Sequence, residues 1–487
     1  MASDLIPVVP GQALGFITLG SSLQEVLSTV KEDKVTYPSI DISFSQSKPL
    51  AAPVIVSLPE NGIRLRFDGS DQRLRLIEVL DFTRAQLGYK GSEIAKKQDE
   101  GRASFKRIYQ LFGASYPGEY IPPPISTRYG TYVLSWAGVA FNFPLQHSAW
   151  AREKDHVSML GSQAAQPATH MALFEGNSWT EARGELFVKE PSGPRTAAIM
   201  SQPRDALPAE LDLASVPGSG RIVFARRPPA LPFELVIGQT TPQDLLTELG
   251  PPDATHKRDT AVAAEPRNHD RRRSSNARSL GNGYHTTPPS SLSSTGTDTF
   301  DTDFDSGDAE DDSAERAGRE VFWCYFSHGL DILVGPPTDT IHSEDPEFPP
   351  TPVAASAHLV VLKVTLHGNI PGSYSFNRHR RLRWALELRG ASTTLTSEHV
   401  FEDIKPDLLQ AFHGVWPDNE MSRGRVVNRT WGGSPTDSSF FLPDADEDLV
   451  ESGGGSESWL GNTKLYSFPG LTFEVSSNGA ISALTVS

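Results

Sequence analysis

The chain has 487 residues and a formal net charge of −16, which excludes a nucleic-acid-binding protein whose whole surface is basic. Its one cysteine, Cys324, excludes an internal disulfide framework, an all-cysteine zinc site and a cysteine-ligated iron–sulfur cluster. Its first residues lack a basic and apolar leader, and no apolar run approaches the ~20 residues of a membrane span, so we expect a cytoplasmic protein without signal peptide or transmembrane segment.

The N-terminal part of the chain predicts a short helix followed by an antiparallel hairpin. Four apolar residues lie on one face of the predicted helix: Leu23, Val26, Leu27 and Val30. Ser22 is placed to cap this helix. Farther on, Gly62 precedes residues 63–67, in which apolar and polar side chains alternate as in a strand with one buried face. A return strand is predicted at 74–79.

The same pattern of helix, glycine-led strand and return strand recurs three more times, with insertions. The later helices carry these apolar or boundary residues: Phe105, Ile108, Tyr109, Phe112 and Gly113; Thr241, Pro242, Leu245, Leu246, Leu249 and Gly250; Pro406, Leu408, Leu409, Phe412 and Gly414. The later glycine-led strands are predicted at 138–143, 329–334 and 470–475.

Each such unit has one apolar sheet face and one apolar helix stripe, so the units must pack against each other. We therefore predict an α+β fold with two pseudo-symmetric halves, residues 1–225 and 226–487. The alternative is that a glycine followed by alternating residues recurs by chance in a β-rich protein.

Two segments of the second half are predicted to be disordered. Residues 255–319 have almost no apolar periodicity, and residues 432–461 form an acidic, glycine-rich loop. In the first segment Ser274 and Ser275 follow three arginines, a pattern typical of a phosphorylation site for a basic-directed kinase. The alternative is that this stretch is a solvated loop without a regulatory role.

The strongest concentration of positive charge in this acidic chain lies at residues 378–383. It contains four arginines: Arg378, Arg380, Arg381 and Arg383. Such a cluster can contact an anion, for example a phosphate head group, or an acidic partner. The alternative is the solvated face of an edge strand, where charges prevent aggregation.

A search for catalytic, cofactor-binding and metal-binding motifs finds none. The sequence has no Walker-type phosphate loop, no GxGxxG, no GxSxG and no HExxH. The histidines lack metal-ligand spacing, and we expect His367 and His379 to be solvated. Cys324 lies among aromatic residues and is expected to be a buried apolar residue rather than a nucleophile. We therefore expect no enzymatic activity and no cofactor.

One short motif remains. Residues 401–404, Phe-Glu-Asp-Ile, match the aromatic-x-x-aliphatic pattern that autophagy adaptors use. The alternative is that they form the packed start of the fourth helix.

Several blocks of the sequence resemble the phagosome assembly factor family of eukaryotes. The most specific are Phe-Gly-Ala-Ser-Tyr-Pro-Gly-Glu-Tyr at 112–120 and His-Gly-Asn-Ile-Pro-Gly-Ser-Tyr-Ser-Phe-Asn at 367–377. Blocks at 14–20, 61–68, 72–79, 138–143 and 325–333 are also similar, in the same order. The chain departs from the animal members by its long insert and its acidic loop.

The resemblance implies a non-enzymatic autophagy factor that acts as a scaffold. Family members act with a WD40 β-propeller partner that recognises phosphoinositide, and the pair associates with the phagophore assembly site. Older descriptions of the family imply a different role, as an adaptor in transport from the trans-Golgi network to the plasma membrane. A third hypothesis from the sequence is an enzyme that handles a lipid or a metabolite.

Overall fold

The computed structural model describes residues 5–95, 101–124, 127–189, 209–226, 230–257, 320–337, 358–388, 394–415, 417–428 and 462–487. Within these ranges the chain forms helices and mostly antiparallel sheets, in agreement with the predicted α+β class. The described strands form four sheets, two with five strands and two with eight. Ser274, Ser275, the loop 432–461 and all but the first three residues of the segment 255–319 lie outside the described residues.

The N-terminal part of the chain forms one sheet of each size. Its strands are β1 (Ile6–Val9), β2 (Ala13–Leu14), β3 (Ile17–Thr18), β4 (Asp41–Ser43), β5 (Val54–Leu58), β6 (Ile63–Phe67), β7 (Leu74–Val79), β8 (Leu87–Tyr89), β9 (Ser92–Glu93), β10 (Glu119–Ile121), β11 (Tyr129–Trp136), β12 (Val139–Gln146) and β13 (His170–Leu173). The smaller sheet has the order β3-β2-β1-β8-β9, with β1 parallel to β8. In the larger sheet the antiparallel runs β4–β7 and β10–β13 meet where β7 pairs with β13.

The C-terminal part also forms one sheet of each size. Its strands are β14 (Leu211–Gly218), β15 (Arg221–Arg226), β16 (Phe233–Val236), β17 (Ala254–Lys257), β18 (Val321–Tyr325), β19 (Leu330–Gly335), β20 (Val360–His367), β21 (Arg383–Leu386), β22 (Leu395–Thr396), β23 (Arg425–Asn428), β24 (Asn462–Phe468), β25 (Leu471–Val475) and β26 (Ile481–Val486). The smaller sheet has the order β16-β15-β14-β21-β22, with β14 parallel to β21. In the larger sheet the runs β17–β20 and β23–β26 meet where β20 pairs with β26. Strands β14 and β15 belong to this part, so its smaller sheet extends across the predicted boundary at residue 225.

The helices of the described chain are short and amphipathic. They are α1 (Leu23–Glu32), α2 (Phe105–Phe112), α3 (His156–Leu160), α4 (Trp179–Glu185), α5 (Pro242–Leu249), α6 (Phe401–Ala411) and α7 (Asp418–Ser422), with 3-10 turns at Pro59–Asn61 and His147–Ala149. The predicted apolar stripe of α1 is buried along its whole length. The Ser22 side chain caps α1 by accepting a hydrogen bond from the Glu25 N–H, and Thr241 caps α5 in a capping box.

The fourth predicted helix begins at Phe401, where the sequence allows a packed helix start. Pro406 lies inside the helix. A proline at this depth removes a backbone hydrogen bond and destabilises a helix. Here Phe401, Ile404 and Leu408 are buried along one face, so packing outweighs the unfavourable local preference of the proline.

Gly62, Gly138, Gly329 and Gly470 occupy the turns that the sequence predicts for them. All four have positive φ, at 63°, 76°, 77° and 72°, where glycine is favoured because it has no Cβ. Gly329 also has no room for a side chain, since a Cβ there would lie 2.3 Å from the Arg380 carbonyl oxygen. The turn between β18 and β19 is therefore held close to the segment that contains the arginine cluster.

Two large apolar clusters stabilise the fold, one in each part of the chain. The first packs α1 and α2 against the β6, β7 and β12 strands, and the second packs α5 and α6 against β19, β20 and β25. Phe376 comes from the C-terminal part but is packed in the first cluster, where its ring lies 6.5 Å from that of Phe44. The two parts are therefore joined by apolar contact as well as by the polar contacts described below.

On either side of three stretches outside the described residues, residues of the larger C-terminal sheet pair directly. Lys257 pairs with Val321, Gly335 pairs with Val360, and Asn428 pairs with Asn462. The predicted insert begins at residue 255, but Thr255, His256 and Lys257 belong to strand β17. Strand pairing is thus present on both sides of each stretch.

Candidate functional site

The turn between β6 and β7 is organised by one carboxylate. Asp68 Oδ1 accepts hydrogen bonds from the backbone N–H groups of Asp71, at 2.6 Å, and Gln72, at 3.1 Å. Its other oxygen pairs with Arg75 Nε at 2.6 Å. These bonds hold Gln72 at a φ of 53°, in the left-handed region that costs energy for a residue with a Cβ. The strained turn directs the Gln72 amide at the C-terminal part.

Gln72 and Asn369 form a pair of hydrogen bonds between the two parts of the chain. Gln72 Nε2 donates to the Asn369 carbonyl oxygen at 2.8 Å, and Asn369 Nδ2 donates to Gln72 Oε1 at 2.7 Å. Asn369 also has a positive φ, 46°, and its side-chain oxygen accepts the Asn377 N–H at 2.6 Å. Both amides are buried, so each would cost free energy without its partner.

Glu210 binds two arginines in a buried ion-pair cluster. Its Oε1 accepts from Arg73 Nη1 at 2.8 Å and also from Arg380 Nη1. The side chains of Arg73, Arg380 and Glu210 are 1%, 4% and 9% exposed. Arg380 donates in addition to the Leu211 carbonyl oxygen. The Glu210 carboxylate, which directly precedes β14, therefore links the residue ahead of β7 to the segment ahead of β21.

Arg381 is buried and surrounded by carbonyl oxygens. Its Nε donates to Ser70 O at 2.5 Å and its Nη1 donates to Gly368 O at 2.6 Å, so this side chain joins the turn of one part to the loop of the other. Burial lowers the pKa of Arg381 to about 10, an effect that Glu398 opposes. Arg381 is still a cation at neutral pH, and its N–H groups donate to carbonyl oxygens within the fold.

We call this set of six residues the arginine junction: Gln72, Arg73, Glu210, Asn369, Arg380 and Arg381. Burial by itself lowers the pKa of Arg73, but Glu210 and Asp71 outweigh it and raise the pKa overall. For Arg380, burial and the charge of Arg73 lower the pKa although Glu210 is bonded to both. The junction therefore holds two buried arginines on one shared carboxylate.

The structure divides the predicted arginine cluster. Arg380 and Arg381 are buried in the junction, and half-buried Arg383 pairs with Glu398 at 2.7 Å. Arg378 is the exposed member of the four. Strand β21 pairs with both β14 and β22, so the alternative of an edge strand is wrong. The role of these arginines in contacting an anion or a partner stays a prediction, and Arg378 is the member that solvent reaches.

Other predicted residues fall in the core. Cys324 is buried, and burial, together with the nearby Asp331 carboxylate, raises the pKa of its thiol. Phe401 and Ile404 of the aromatic-x-x-aliphatic motif are 0% and 1% exposed, so the alternative of a packed helix start is confirmed. His367 and His379, which we expected to be solvated, are instead largely buried beside Asp331.

One cavity in the described part of the chain lies next to the β6–β7 turn. Its volume is about 160 Å³, and charged residues at its wall include Arg75, Glu181, Glu185 and Lys189. Pockets that enclose small-molecule ligands usually have volumes of about 300–1,000 Å³. This cavity is too small to enclose a ligand of that kind.

A buried histidine beside the junction makes a pH dependence of stability testable. His328 is 7% exposed. Burial, and next the charge of Arg380, lower its pKa to about 4, while Glu210, Asp253 and the Leu249 backbone oppose this shift. An unfolded histidine has a pKa of about 6.5, so below that pH the unfolded chain binds a proton that the folded chain does not. The contribution of His328 to stability is present above pH 6.5 and lost as the pH falls toward 4.

We expect this histidine to reduce the free energy of unfolding by about 2 kcal/mol between pH 7 and pH 5. Urea unfolding at both pH values, in the presence of a chelator, measures the difference. In His328→Gln the difference should shrink by that amount, whereas exposed His399→Gln should leave it as in the unchanged chain. An equal pH dependence in all three proteins would contradict the assignment.

Comparison with known proteins gives one consistent result. The sequence profile of a family described as Phagosome assembly factor 1 matches residues 13–278 and 306–487. A PHAF1 protein of Arabidopsis thaliana is 22% identical over 496 residues, which cover 100% of this chain and 93% of that protein. A PHAF1 protein of Drosophila melanogaster is 22% identical over 503 residues, covering 99% of this chain and 93% of that protein. A PHAF1 protein of Caenorhabditis elegans is 27% identical over 126 residues, 26% of this chain and 28% of that protein. No solved structure matches the chain.

Proposed function

Because the chain belongs to the phagosome assembly factor 1 family, we propose that it is a non-enzymatic scaffold of autophagy. In this role it joins a WD40 β-propeller partner and is recruited from the cytoplasm to the phagophore assembly site, where it associates with phosphoinositide-bearing membrane. The observation that carries the proposal is the family match along residues 13–278 and 306–487, together with relatives that align over nearly their whole length. Family membership supports a role in phagosome assembly. The WD40 partner and the phosphoinositide lipid are proposed in addition.

The arrangement of the junction favours a rigid binding body. Its charged groups are buried, bond one another or backbone carbonyl oxygens, and join the two parts of the chain. Reactive groups at a catalytic site instead need access to a substrate. None of the described helices has the length and apolar character to span a membrane. We propose that the chain associates with membrane peripherally, through exposed charge or through a partner.

Affinity purification of the tagged full chain under starvation tests the scaffold role. We expect a WD40 β-propeller protein to co-purify and the chain to form puncta that coincide with a phagophore marker. Diffuse signal without such a partner would contradict the proposal. Coincidence with a trans-Golgi marker instead would favour an adaptor in transport to the plasma membrane.

Arg378 is the residue through which we test direct contact with lipid. Charge reversal in Arg378→Glu should weaken binding to vesicles that contain phosphatidylinositol-3-phosphate, because one favourable surface charge contributes about 1 kcal/mol, roughly five-fold in affinity. Vesicle flotation with increasing lipid measures the change. Exposed Arg152→Glu, which makes the same charge change elsewhere, is the control. Equal binding of both variants and the unchanged chain would assign Arg378 to solvation.

We also propose that the fold consists of two pseudo-symmetric halves built from repeated units of helix and antiparallel strands. Both parts have a five-stranded sheet with a parallel pair, and both have an eight-stranded sheet in which two antiparallel runs meet at their last strands. An experimental structure in which the two halves superpose strand for strand would support this, and one with different strand paths would contradict it.

A further inference from the structure

We propose that Asp331, His367 and His379 form a binding site for a divalent transition-metal ion of the Zn²⁺ class. The His367 Nε2 lies 3.0 Å from one carboxylate oxygen of Asp331, and the His379 Nε2 lies 2.9 Å from the other. One ligand atom from each residue lies within 4.8 Å of the other two. The site lies outside the arginine junction, and the inference stands independently of the proposed partner and membrane.

The sheet and a loop bring these residues together. Asp331 pairs with Thr365 across β19 and β20, so His367, two residues later, lies on the same face of the sheet. The chain then returns through residues 368–382, and the ring of His379 stacks on that of His367 with 3.7 Å between centroids and 11° between planes. Phe326 packs edge-on against His379 at 4.9 Å. Both Nε2 atoms therefore point at the same carboxylate.

The donor set decides which class of ion fits. Two imidazoles and one carboxylate suit Zn²⁺ and its neighbours in the first transition row, whereas Mg²⁺ and Ca²⁺ prefer oxygen ligands throughout. Around a tetrahedral ion with bonds of about 2.0–2.1 Å, neighbouring ligand atoms are about 3.3 Å apart. The two Nε2 atoms lie 3.0 and 2.9 Å from different oxygens of Asp331, and one ligand atom of each residue lies within 4.8 Å of the other two, so the side chains must shift toward each other to admit the ion.

The hydrogen bonds at this site fix which nitrogen of the His379 ring carries the proton. His379 Nδ1 is buried and has no hydrogen-bond partner within the described chain, which places the ring proton on Nε2, where it donates to Asp331. An ion bound at Nε2 would take the place of that proton, which would move to Nδ1, where the described chain offers it no acceptor.

The described residues supply three ligands to the site. Cys324 lies opposite Asp331 on the neighbouring strand. The side chains of His367 and Asp331 are 15% and 19% exposed, so solvent reaches one side of the cluster. The remaining coordination position would be filled by water. Arg378 is close enough to oppose the binding of a cation.

A metal at this position would fasten the loop to the sheet. His379 directly precedes Arg380 and Arg381, which bond Glu210 and Ser70 in the junction. The ion would thus hold the segment 368–382 at β19 and β20 while the arginines hold it at the N-terminal part. This predicts that the ion stabilises the contact between the two parts.

Calorimetric titration of ZnCl₂ into the chelator-treated full chain tests the site, with CoCl₂ absorption as a second readout. We expect one equivalent to bind, visible Co²⁺ bands of a site with fewer than six ligands, and a higher melting temperature with Zn²⁺, because an ion that binds the folded chain stabilises it. Asp331→Asn and His367→Gln should weaken binding at least about 100-fold. Exposed His399→Gln should bind as the unchanged chain does.

Melting curves in chelator check that each variant is folded, and partly exposed His367 provides a second substitution if Asp331→Asn does not fold. Arg378→Gln removes the opposing charge and should tighten binding a few-fold. The proposal is overturned if the unchanged chain binds neither ion at one equivalent. It is also overturned if folded His367→Gln binds Zn²⁺ as tightly as the unchanged chain.

Discussion

Glu210→Gln is expected to lower the free energy of unfolding by about 3–5 kcal/mol, because it removes the shared anion from two buried guanidinium groups. Arg73 and Arg380 are 1% and 4% exposed, so neither can turn to water once the charge of Glu210 is lost. A glutamine of the same shape still accepts a hydrogen bond, but the repulsion between the two guanidinium groups is then opposed only by the charges of Asp71 and Asp212. The loss falls at the contact between the two parts of the chain.

Urea unfolding of the full chain at neutral pH measures this change. Glu234→Gln is the matched control: Glu234 pairs with Arg221, but the two side chains are 45% and 53% exposed, and such pairs contribute at most about 1 kcal/mol. Similar small losses in both variants would mean that Glu210 does not hold the junction together. Limited proteolysis of Glu210→Gln should in addition cleave faster between the two parts.

Phe401→Ala is expected to cost about 3–5 kcal/mol, as removal of a fully buried phenylalanine usually does. The Phe401 side chain is 0% exposed, and its ring lies 4.2 Å from Tyr466 and 5.7 Å from Phe473. The substitution opens a cavity between α6 and the larger C-terminal sheet. It should lower the amount of folded protein, rather than remove a linear docking motif.

Thermal melting and expression level of Phe401→Ala test this expectation. Phe187→Ala makes the same substitution at a residue that is 38% exposed, and should cost less than about 1 kcal/mol. If Phe401→Ala melts as the unchanged chain does but loses an adaptor partner, the motif at 401–404 binds that partner and the packed position of Phe401 is not its functional state.

The helices and glycine-led turns could be predicted because their signals are local. The stripe of α1 and its cap lie within a few residues, and period-two alternation defines β6 without reference to any other strand. For α6 the sequence leaves a docking motif and a packed helix start open at residues 401–404. The burial of Phe401, which the local pattern does not contain, decides between them.

The junction could not be predicted, since its partners are far apart in the chain. Arg380 and Glu210 are 170 residues apart, and Gln72 and Asn369 are 297 apart. A single sequence contains no signal that pairs them, and Glu210 lies in a stretch with no motif. For the same reason the sequence groups the four arginines as one cluster, although in the fold they have different neighbours and different exposure. Asp331, His367 and His379 likewise meet only through strand pairing and a loop.

The direct pairing of Lys257 with Val321, and of Asn428 with Asn462, has a practical use. The two residues of each pair lie a few ångströms apart across the sheet, and the entropic cost of closing a flexible connection between two such points rises by only about 0.6 kcal/mol for each doubling of its length. A fluorescent protein whose own termini are close could therefore be spliced in at either place. Such internal reporters would follow the molecule in living cells while both chain ends stay available for other labels.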